Sequence, residues 1–383
     1  MKLQQAIIFF GIVFTVYGLV NYYIYRRIVP IVPDNYRLVF SIIFIAVVVS
    51  YIAGRILENY WVWYVSDLLV WIGSFWIAIM FYTFLSLIVI DIVRLINYVL
   101  PFFPSVITKD PEKVRRTMAI IVSIFVLIMV VAGFINTRMI TIKKYNININ
   151  KKAGELKSLN IVMASDLHLG TINGKSFAYR VVDKINKLNP DIILFAGDII
   201  DEDIKPVLRD NVGEALLELK AKYGVYGITG NHEYIGGVNA AVEYLKNHNI
   251  QMIRDTSVKI DNSFYIVGRE DRDSKRFADY NRKPLNKIIE GVDKSLPMIL
   301  MDHQPFQLSD ASNNGIDLQL SGHTHNGQLW PVNYIVKKIY EIPWGFKFIG
   351  NTYYYVSCGV GGWGPPVRIG SLPEIINIKL NFE

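Results

Sequence analysis

The stretch SGHTHNGQ, residues 321–328, carries two histidines two positions apart, directly after the strand-like run IDLQL at 316–320. Side chains at positions i and i+2 of an extended chain point to the same side. His323 and His325 can therefore face one small volume, and the neighbouring glycines allow the backbone to pass close to whatever occupies it. Many proteins contain two histidines at this spacing, so the stretch alone is weak evidence for a metal site.

The placement of the other histidines strengthens that interpretation. The chain contains only six histidines, and five of them follow predicted strand ends, next to Asp, Asn or Gly. Such a concentration at turn positions favours a built site over scattered surface residues. The sixth, His248, ends a predicted helix, where we interpret it as exposed and without a chemical role. The other five are His168, His232, His303, His323 and His325.

Composition limits the classes of protein to which the chain can belong. Its 383 residues can form two or three domains, and its mean hydropathy of +0.28 is high because apolar residues crowd the first third. The single cysteine, Cys358, excludes a disulfide framework within the chain and a cysteine-rich zinc site. More than half of the net charge of +7 lies within residues 1–136, beside apolar runs. Composition therefore gives no indication of nucleic-acid binding.

Four apolar runs in the first third are long enough to cross a membrane, which takes about 20 residues and at least about 17. They cover residues 7–25, 38–54, 68–90 and 118–135. None has an ionisable residue in its middle, a pattern typical of an anchor and not of a transporter. We therefore predict a transmembrane region of about four helices at 1–136, followed by a linker at 137–157.

Basic residues in the short loops predict the orientation of these helices. The first loop carries three basic residues and the third carries five, and such loops generally remain in the cytoplasm. The chain is then an integral, multi-pass protein, assigned to the plasma membrane, with everything after Ile135 outside the cytoplasm. Five basic residues between Arg138 and Lys152 argue for the opposite orientation. The loop residues are Arg26, Arg27 and Arg37 in the first loop, and Arg94, Lys109, Lys113, Arg115 and Arg116 in the third.

Beyond residue 160, short β-rich runs alternate with helical stretches. The runs 160–164, 192–196 and 225–229 each end in a polar turn and lead into a helix. Repeated units of this kind predict a largely parallel sheet covered by helices. Functional groups in such sheets gather at the carboxyl ends of strands, and every candidate ligand lies at such an end. Further strands are predicted at 264–268, 297–301, 316–320, 353–357 and 375–380.

Five motifs stand in order at these strand ends. They are D-x-H at 166–168, G-D at 197–198, G-N-H-E at 230–233, an isolated His303 and G-H-x-H at 322–325. Each is weak alone, but together they resemble the signature of the calcineurin-like metallophosphoesterases over residues 158–383. The resemblance implies an α/β domain in which a β-sandwich is flanked by helices (αββα), here preceded by the four-helix transmembrane region.

The resemblance also implies a centre of two divalent metal ions. By position, one ion resembles a site formed by Asp166, His168, Asp198 and His325, and the other a site formed by Asp198, Asn231, His303 and His323, so that Asp198 bridges them. Such ligands suit Mn, Fe, Zn or Ni without selecting among them. Two ions about 3.5–4 Å apart can share a hydroxide that attacks phosphorus. The implied reaction is hydrolysis of a phosphate ester or pyrophosphate bond.

Four further residues receive roles beside the ligands. The resemblance implies that His232 donates a proton to the leaving group, which suits a histidine near neutral pH. Asp201 and Glu233 are expected to orient neighbouring side chains. Arg368 follows a turn-rich loop and is either a substrate-binding residue beside a phosphate or a part of the loop without such a role.

The substrate class and one alternative function stay open. Segment 329–344, rich in Trp, Tyr and Ile with paired lysines, either forms a rim at a bilayer interface for a lipid-linked phosphorylated substrate or covers the sheet as core. The ligand types do not distinguish monoesters, diesters and pyrophosphates. The alternative is a non-catalytic, metal-stabilised signalling or binding module on a membrane anchor, which the presence of His232 disfavours.

Overall fold

The structure of this chain is a computed structural model that describes residues 3–60 and 63–383. It contains two units, which are described separately. The first comprises Met1–Ile135 with Gly364–Val367, and the second comprises Asn136–Trp363 with Arg368–Glu383.

The first unit is helical, as its apolar composition requires of a chain that must satisfy its own backbone hydrogen bonds in lipid. Tyr51 and Gly73 show how closely α2 and α3 pack, because a Cβ atom at Gly73 would overlap with the backbone of Tyr51. Small residues at such contacts are typical of membrane helices. The helices are α1 (Leu3–Ile28), α2 (Arg37–Tyr60), α3 (Tyr64–Val99), α4 (Ser105–Lys109) and α5 (Pro111–Asn136).

Among the residues that the structure describes, three segments are long and apolar enough to cross a membrane: Asp34–Tyr60, Tyr64–Val99 and Pro111–Asn136. They contain the predicted spans 38–54, 68–90 and 118–135. The fourth predicted span, 7–25, lies within α1 but is not among them, so the prediction of four spans is corrected to three.

The second unit, all of whose residues the structure describes, contains two six-stranded sheets. In the first sheet, in the order β1-β12-β2-β3-β4-β5, strands β2 to β5 are parallel and β12 runs antiparallel to β2. Its strands are β1 (Thr141–Ile149), β2 (Ser158–Ala164), β3 (Ile192–Ala196), β4 (Val225–Ile228), β5 (Gln251–Met252) and β12 (Glu374–Phe382). Strand β1 occupies much of the segment predicted as a linker.

The second sheet has the order β10-β11-β9-β8-β7-β6. Its four central strands are parallel, and the two edge strands β10 and β6 are antiparallel to their neighbours. These strands are β6 (Thr256–Ile260), β7 (Phe264–Gly268), β8 (Met298–Met301), β9 (Leu318–Ser321), β10 (Gly345–Ile349) and β11 (Thr352–Val356). The predicted α/β class with largely parallel pairing is confirmed.

Helices follow the strands of both sheets. The helices predicted to follow the runs 160–164 and 225–229 correspond to α6 and α9, whereas the one predicted to follow 192–196 corresponds to a 3₁₀ helix at Val212–Glu218. One buried cluster contains residues of both sheets, such as Leu194 of β3 and Ile299 of β8. The helices are α6 (Lys175–Asn186), α7 (Lys205–Arg209), α8 (Asn231–Gly236), α9 (Val238–Asn247), α10 (Ser274–Ala278), α11 (Leu285–Ile288), α12 (Ser309–Asn313) and α13 (Val332–Ile339).

Candidate metal centre

The seven predicted ligands all follow the carboxyl ends of strands. Strands β2, β3 and β4 are neighbours in the first sheet, and β8 and β9 are neighbours in the second. Parallel pairing brings the ends of β2, β3 and β4 to one edge of the first sheet and those of β8 and β9 to one edge of the second, and the loops from the two sheets meet. The ligands are Asp166 and His168 after β2, Asp198 after β3, Asn231 after β4, His303 after β8, and His323 and His325 after β9.

The convergence brings donor atoms within reach of common positions. Three groups have ligand atoms that all lie within 4.8 Å of one another: Asp166 with His168 and His325, His168 with Asp198 and His232, and Asp198 with His303 and His323. The first and third groups match the two predicted sites. Asn231 belongs with the third group, because its Oδ1 lies 2.8 Å from Nδ1 of His323. His232, predicted to lie outside the ligand set, is also within this distance.

Asp198 occupies the middle of the cluster. Its Oδ2 lies 3.0 Å from Nε2 of His303 and 3.9 Å from Nε2 of His168. Its Oδ1 accepts a hydrogen bond of 2.9 Å from the main-chain N–H of His232, which fixes the plane of the carboxylate. One oxygen is thus used for positioning, and the other faces donors of both predicted sites.

The hydrogen bonds of His303 test whether the residues fit a metal ion. Its Nδ1 lies 2.7 Å from the carbonyl oxygen of Ala196, so Nδ1 must carry the proton and Nε2 of the neutral ring presents a lone pair. That nitrogen is buried and lies 3.0 Å from Oδ2 of Asp198. Two such acceptors repel each other unless a proton or a metal ion lies between them.

The electrostatics of His303 agree with that requirement. Burial opposes its protonation, but Asp198, Asp166 and Asp271 outweigh burial and raise the pKa of His303 well above its usual value. The position thus demands positive charge, which a proton supplies in the free protein and a divalent ion would supply in its place. The donor set fits a metal centre.

The two histidines of the G-H-x-H motif show the neutral imidazoles that metal binding needs. Nε2 of His325 lies 3.2 Å from Nε2 of His168 and 3.5 Å from Oδ1 of Asp166. Burial, together with His168 and Arg368, holds the pKa of His325 well below its usual value. Burial and nearby His303 likewise lower the pKa of His323 to about 3. Both histidines of the G-H-x-H motif are therefore neutral and able to donate a lone pair.

The backbone at these ligands adopts a conformation that side chains rarely tolerate. The φ angles of five of the seven predicted ligands lie in the left-handed region, between 46° and 72°. Such residues are uncommon and cluster at functional sites, where the surrounding structure enforces them. The glycines of the motifs have a related role, because a Cβ atom at Gly322 or Gly230 would overlap with the carboxylate of Asp166 or Asp198. The five are Asp166, His168, Asp198, His323 and His325.

His232 lies at the edge of the cluster, buried beside the Trp363 ring at a centroid distance of 6.0 Å. Its Nδ1 is 3.2 Å from Oδ1 of Asp201, and the same oxygen is 3.5 Å from Nδ1 of His168. Burial lowers the pKa of His232, but Asp198, Asp201 and Glu202 outweigh it and raise the pKa to about 9. In the free protein this histidine therefore carries a proton at neutral pH.

Glu233 connects two of the ligand loops. Its carboxylate accepts hydrogen bonds from the main-chain N–H groups of Asp198 at 3.1 Å, Ile200 at 2.9 Å and Gly230 at 2.7 Å. Asp198 lies on the loop after β3, and Gly230 precedes Asn231 after β4. These hydrogen bonds come from the backbone of the loops and not from a ligand side chain, and the orienting role of Glu233 stays a prediction.

We expect Glu233→Gln to lower metal affinity about 10–100-fold, the usual effect of removing a group that orients ligands. Glutamine retains one oxygen for three N–H donors, so at least one donor loses its partner. Titration of the metal-free protein with Mn²⁺ measures the change. Glu243→Gln, an exposed change on α9, is the control. Unchanged affinity combined with a lower melting temperature would restrict Glu233 to a role in folding.

Arg368 does not have the exposure that substrate binding requires. It is fully buried, and its guanidinium donates to the carbonyl oxygens of Cys358 and Gly361 at 2.8 and 2.5 Å. One of its nitrogens also lies 3.4 Å from Nδ1 of His325. These contacts favour the alternative in which Arg368 is part of the turn-rich loop, beside His325, and its binding of substrate stays a prediction.

Sequence reasoning missed Asp271, which lies close to the cluster. Its buried carboxylate accepts hydrogen bonds from Nε2 of Gln304 at 2.9 and 3.2 Å, and Gln304 directly follows His303. Burial raises the pKa of Asp271 to about 7, although His303 opposes the rise. Its position in the sequence could have identified it, because Asp271 follows the end of β7 in the same way that the predicted ligands follow their own strands.

Comparisons with known proteins agree with this geometry. A family model described as calcineurin-like phosphoesterase matches residues 159–327, a range that includes every predicted ligand and His232. Over 250 residues the chain is 32% identical to an uncharacterized metallophosphoesterase of Aquifex aeolicus, an alignment that covers 64% of this chain and 94% of the relative.

Two further relatives have more specific names. Over 246 residues the chain is 32% identical to a transmembrane protein with metallophosphoesterase domain of Danio rerio, covering 61% of this chain and 56% of the relative. Over 330 residues it is 26% identical to the UDP-2,3-diacylglucosamine pyrophosphatase LpxG of Chlamydia trachomatis, covering 70% of this chain and 98% of the relative.

Proposed function

Because this chain belongs to the calcineurin-like metallophosphoesterase family and is a metal-dependent phosphoesterase, we propose that it hydrolyses a phosphate ester or pyrophosphate bond with two divalent ions. The observation that carries the proposal is the placement of Asp198, whose Oδ2 faces donors of two ligand groups. One group would hold an ion through Asp166, His168 and His325, and the other through Asn231, His303 and His323, with Asp198 shared.

The residues have complementary tasks in this proposal. When bound, two divalent ions activate water and offset the negative charge of the phosphoryl oxygens. Asp166 and Asp198 contribute only two negative charges, and Asn231 contributes a neutral amide, so the loaded site stays positive and attracts a phosphate. Asp201 accepts from Nδ1 of His232, which leaves Nε2 to deliver a proton to the leaving oxygen.

Metal dependence and reaction class can be tested together. The full-length protein in detergent is stripped with a chelator and assayed, with and without Mn²⁺, on an aryl monoester, an aryl diester and a pyrophosphate. We expect hydrolysis of at least one substrate class only in the presence of metal, because the ligands supply no nucleophile of their own. Mn²⁺ binding without any hydrolysis would support the alternative of a non-catalytic, metal-stabilised module.

The layering of the second unit is also a proposal. We infer that its two sheets stack face to face with helices outside, as the αββα description implies. The support is the arrangement of buried residues. One cluster joins side chains of both sheets, and separate clusters join the first sheet to α6 and the second sheet to α11 and α12.

The chain is a membrane protein, as its three apolar segments and its transmembrane relative indicate, and we propose the plasma membrane with the metal centre outside the cytoplasm. Basic residues lie near the end of α3 (Arg94), between the helices (Lys109) and in the first turns of α5 (Lys113, Arg115 and Arg116). This side is assigned to the cytoplasm, so the chain after α5 lies on the other side. This assignment does not depend on α1, because it counts only spans that the structure supports.

A protease added to intact cells, with any cell wall removed, is therefore expected to cleave the part of the chain after Ile135. The physical reason is the cost of moving the basic residues between Arg94 and Arg116 across the bilayer. Immunoblotting of a carboxyl-terminal tag measures cleavage, and a cytoplasmic protein of the same cells is the control. Protection until the cells are lysed would place the metal centre in the cytoplasm.

We also propose that the substrate is lipid-linked. The LpxG relative is described as a pyrophosphatase of a diacylated sugar nucleotide, and a membrane anchor keeps the metal centre close to such molecules. The identity of 26% over 98% of that relative supports a shared substrate class more than a shared substrate.

A further inference from the structure

We propose that α13 and the exposed aromatic residue preceding it dock onto the headgroup layer of an anionic bilayer, so that the metal centre acts at a membrane surface. This inference rests on the proposed function, because it names the surface at which that activity takes place. The docking face is defined by four residues with exposed side chains: Trp330, Tyr334, Ile335 and Ile339.

Exposed apolar residues of the second unit are concentrated in the part of the sequence that contains this face. Residues 136–383 contain fourteen exposed large apolar side chains, and nine of them lie between positions 330 and 372. Scattered apolar residues are normal on a protein surface, but a concentration of them indicates an interaction site. The nine are Trp330, Tyr334, Ile335, Ile339, Trp344, Phe346, Phe348, Trp363 and Leu372.

The side chains of α13 divide between the protein and solvent. Val336 is buried, whereas Ile335 and Ile339, one turn apart, are 59% and 56% exposed. The alternative that segment 329–344 simply covers the sheet as core is therefore wrong for this helix. Exposed isoleucines beside the exposed Lys337 and Lys338 form the pattern of a helix that lies in a membrane interface.

Both ends of α13 contact the loop that carries the metal ligands. At its start the backbones approach closely, since a Cβ atom at Gly327 would lie 2.5 Å from the main-chain nitrogen of Asn333. At its end the ring of Tyr340 lies 6.2 Å from the ring of His323. A membrane surface onto which α13 docks therefore lies next to the metal centre.

The chain also enters the second unit at this edge. The side-chain amide of Asn136 donates to the carbonyl oxygen of Arg368 at 3.1 Å, and Arg368 contacts His325. Asn136 is the last residue of the third candidate span, and β1 begins at Thr141. The four residues between them cover at most about 14 Å, so the start of β1 cannot move far from a membrane crossed by that span.

The charged residues near the docking face indicate what kind of surface binds to it. Glu341 is the only acidic residue in segment 329–344, which also carries Lys337 and Lys338. Lys143 adds a third cation, with its Nζ 5.9 Å from the centre of the Trp344 ring. Basic residues near a membrane attract anionic headgroups, whereas a second copy of the chain would bring like charges together. The face therefore fits an anionic lipid surface.

The test places a fluorophore on the docking face. Ile335→Cys in the full-length protein is labelled with an NBD group; the native Cys358 is fully buried, and the labelled parent protein measures any background. The protein is reconstituted into nanodiscs of phosphatidylcholine and phosphatidylglycerol, with or without doxyl-labelled lipid. Docking is expected to reduce NBD fluorescence in doxyl discs about twofold or more, because the label then lies at headgroup depth.

Leu208→Cys is the matched control, because Leu208 on α7 is 55% exposed, close to the 59% of Ile335. Docking predicts no quenching at position 208. A second readout uses the double variant in which Ile335 and Ile339 are both replaced with Ser. This variant should hydrolyse a lipid phosphate in discs about tenfold more slowly, and its hydrolysis of a small soluble ester should be unchanged. Leu208→Ser should change neither activity.

The outcomes separate this inference from the proposed function. Docking is overturned if NBD fluorescence at position 335 is not quenched, or if it is quenched equally at positions 335 and 208. Either result counts against docking alone when metal-dependent hydrolysis of the soluble ester persists. Cross-linking between two copies through the cysteine introduced at position 335, without quenching, would assign the face to a second copy and also overturn the inference. Loss of all hydrolysis in the metal-loaded parent protein would instead contradict the proposed function.

Discussion

Replacing Asp198 with asparagine is expected to abolish phosphoester hydrolysis and to lower metal content at both ligand groups. Asparagine can retain the hydrogen bond from the main-chain N–H of His232, so the loop after β3 keeps its support. The change removes the anionic oxygen that faces His303 and His168. A bound ion supplies several kcal/mol to the transition state, and about 1.4 kcal/mol is a factor of ten, so we expect a loss of more than about 10³-fold.

Elemental analysis and initial rates on the same sample measure this effect. Asp255→Asn is the control, because Asp255 is similarly buried and also accepts main-chain hydrogen bonds, from Glu270 and Lys283 at 2.9 and 2.7 Å. It lies outside the three ligand groups, so its replacement should leave the metal content intact. Two ions still bound per chain in Asp198→Asn would overturn the bridging role.

The second large effect is expected for His232→Ala, which should slow turnover about 10²–10⁴-fold, the usual contribution of general acid catalysis. Both metal ions should remain, because the two predicted sites are complete without His232. The loss should shrink for a nitrophenolate leaving group, which departs without a proton. Rates on substrates with good and poor leaving groups, measured at one pH, give the comparison.

His248→Ala is the matched control for this experiment. His248 is half-buried at the end of α9, where its Nδ1 lies 2.7 Å from the carbonyl oxygen of Tyr244. Its replacement should leave hydrolysis of both substrates unchanged. An equal loss for good and poor leaving groups in His232→Ala would remove His232 from the role of acid. A loss of bound metal would make it a ligand, which its distances to His168 and Asp198 permit.

Much of the fold and of the family assignment could be predicted from local pattern. Strands β2, β3 and β4 lie where apolar runs end in polar turns, and the order of the five motifs is enough to identify the family, which the comparisons confirm. Strands β5, β6 and β10 were not predicted. All three are sheet edges whose residues are mostly exposed or half-buried, so their alternation of apolar and polar side chains is weak.

The sequence by itself determined the chemistry of the centre: four histidines, two carboxylates and an amide are recognisable because each follows a β-rich run, and parallel strands bring their carboxyl ends to one edge. Only the tertiary structure decided how these groups meet. Asp198 and His303 are far apart in the chain and follow strands of different sheets, so no local pattern specifies that Oδ2 of one faces Nε2 of the other.

The same reason governs Arg368 and α13. An arginine beside a turn has the same local sequence whether it faces a substrate or two buried carbonyl groups. Similarly, an eight-residue helix with isoleucines one turn apart can cover a sheet or face solvent. Burial depends on which elements pack against a side chain, and that is a property of the assembled fold.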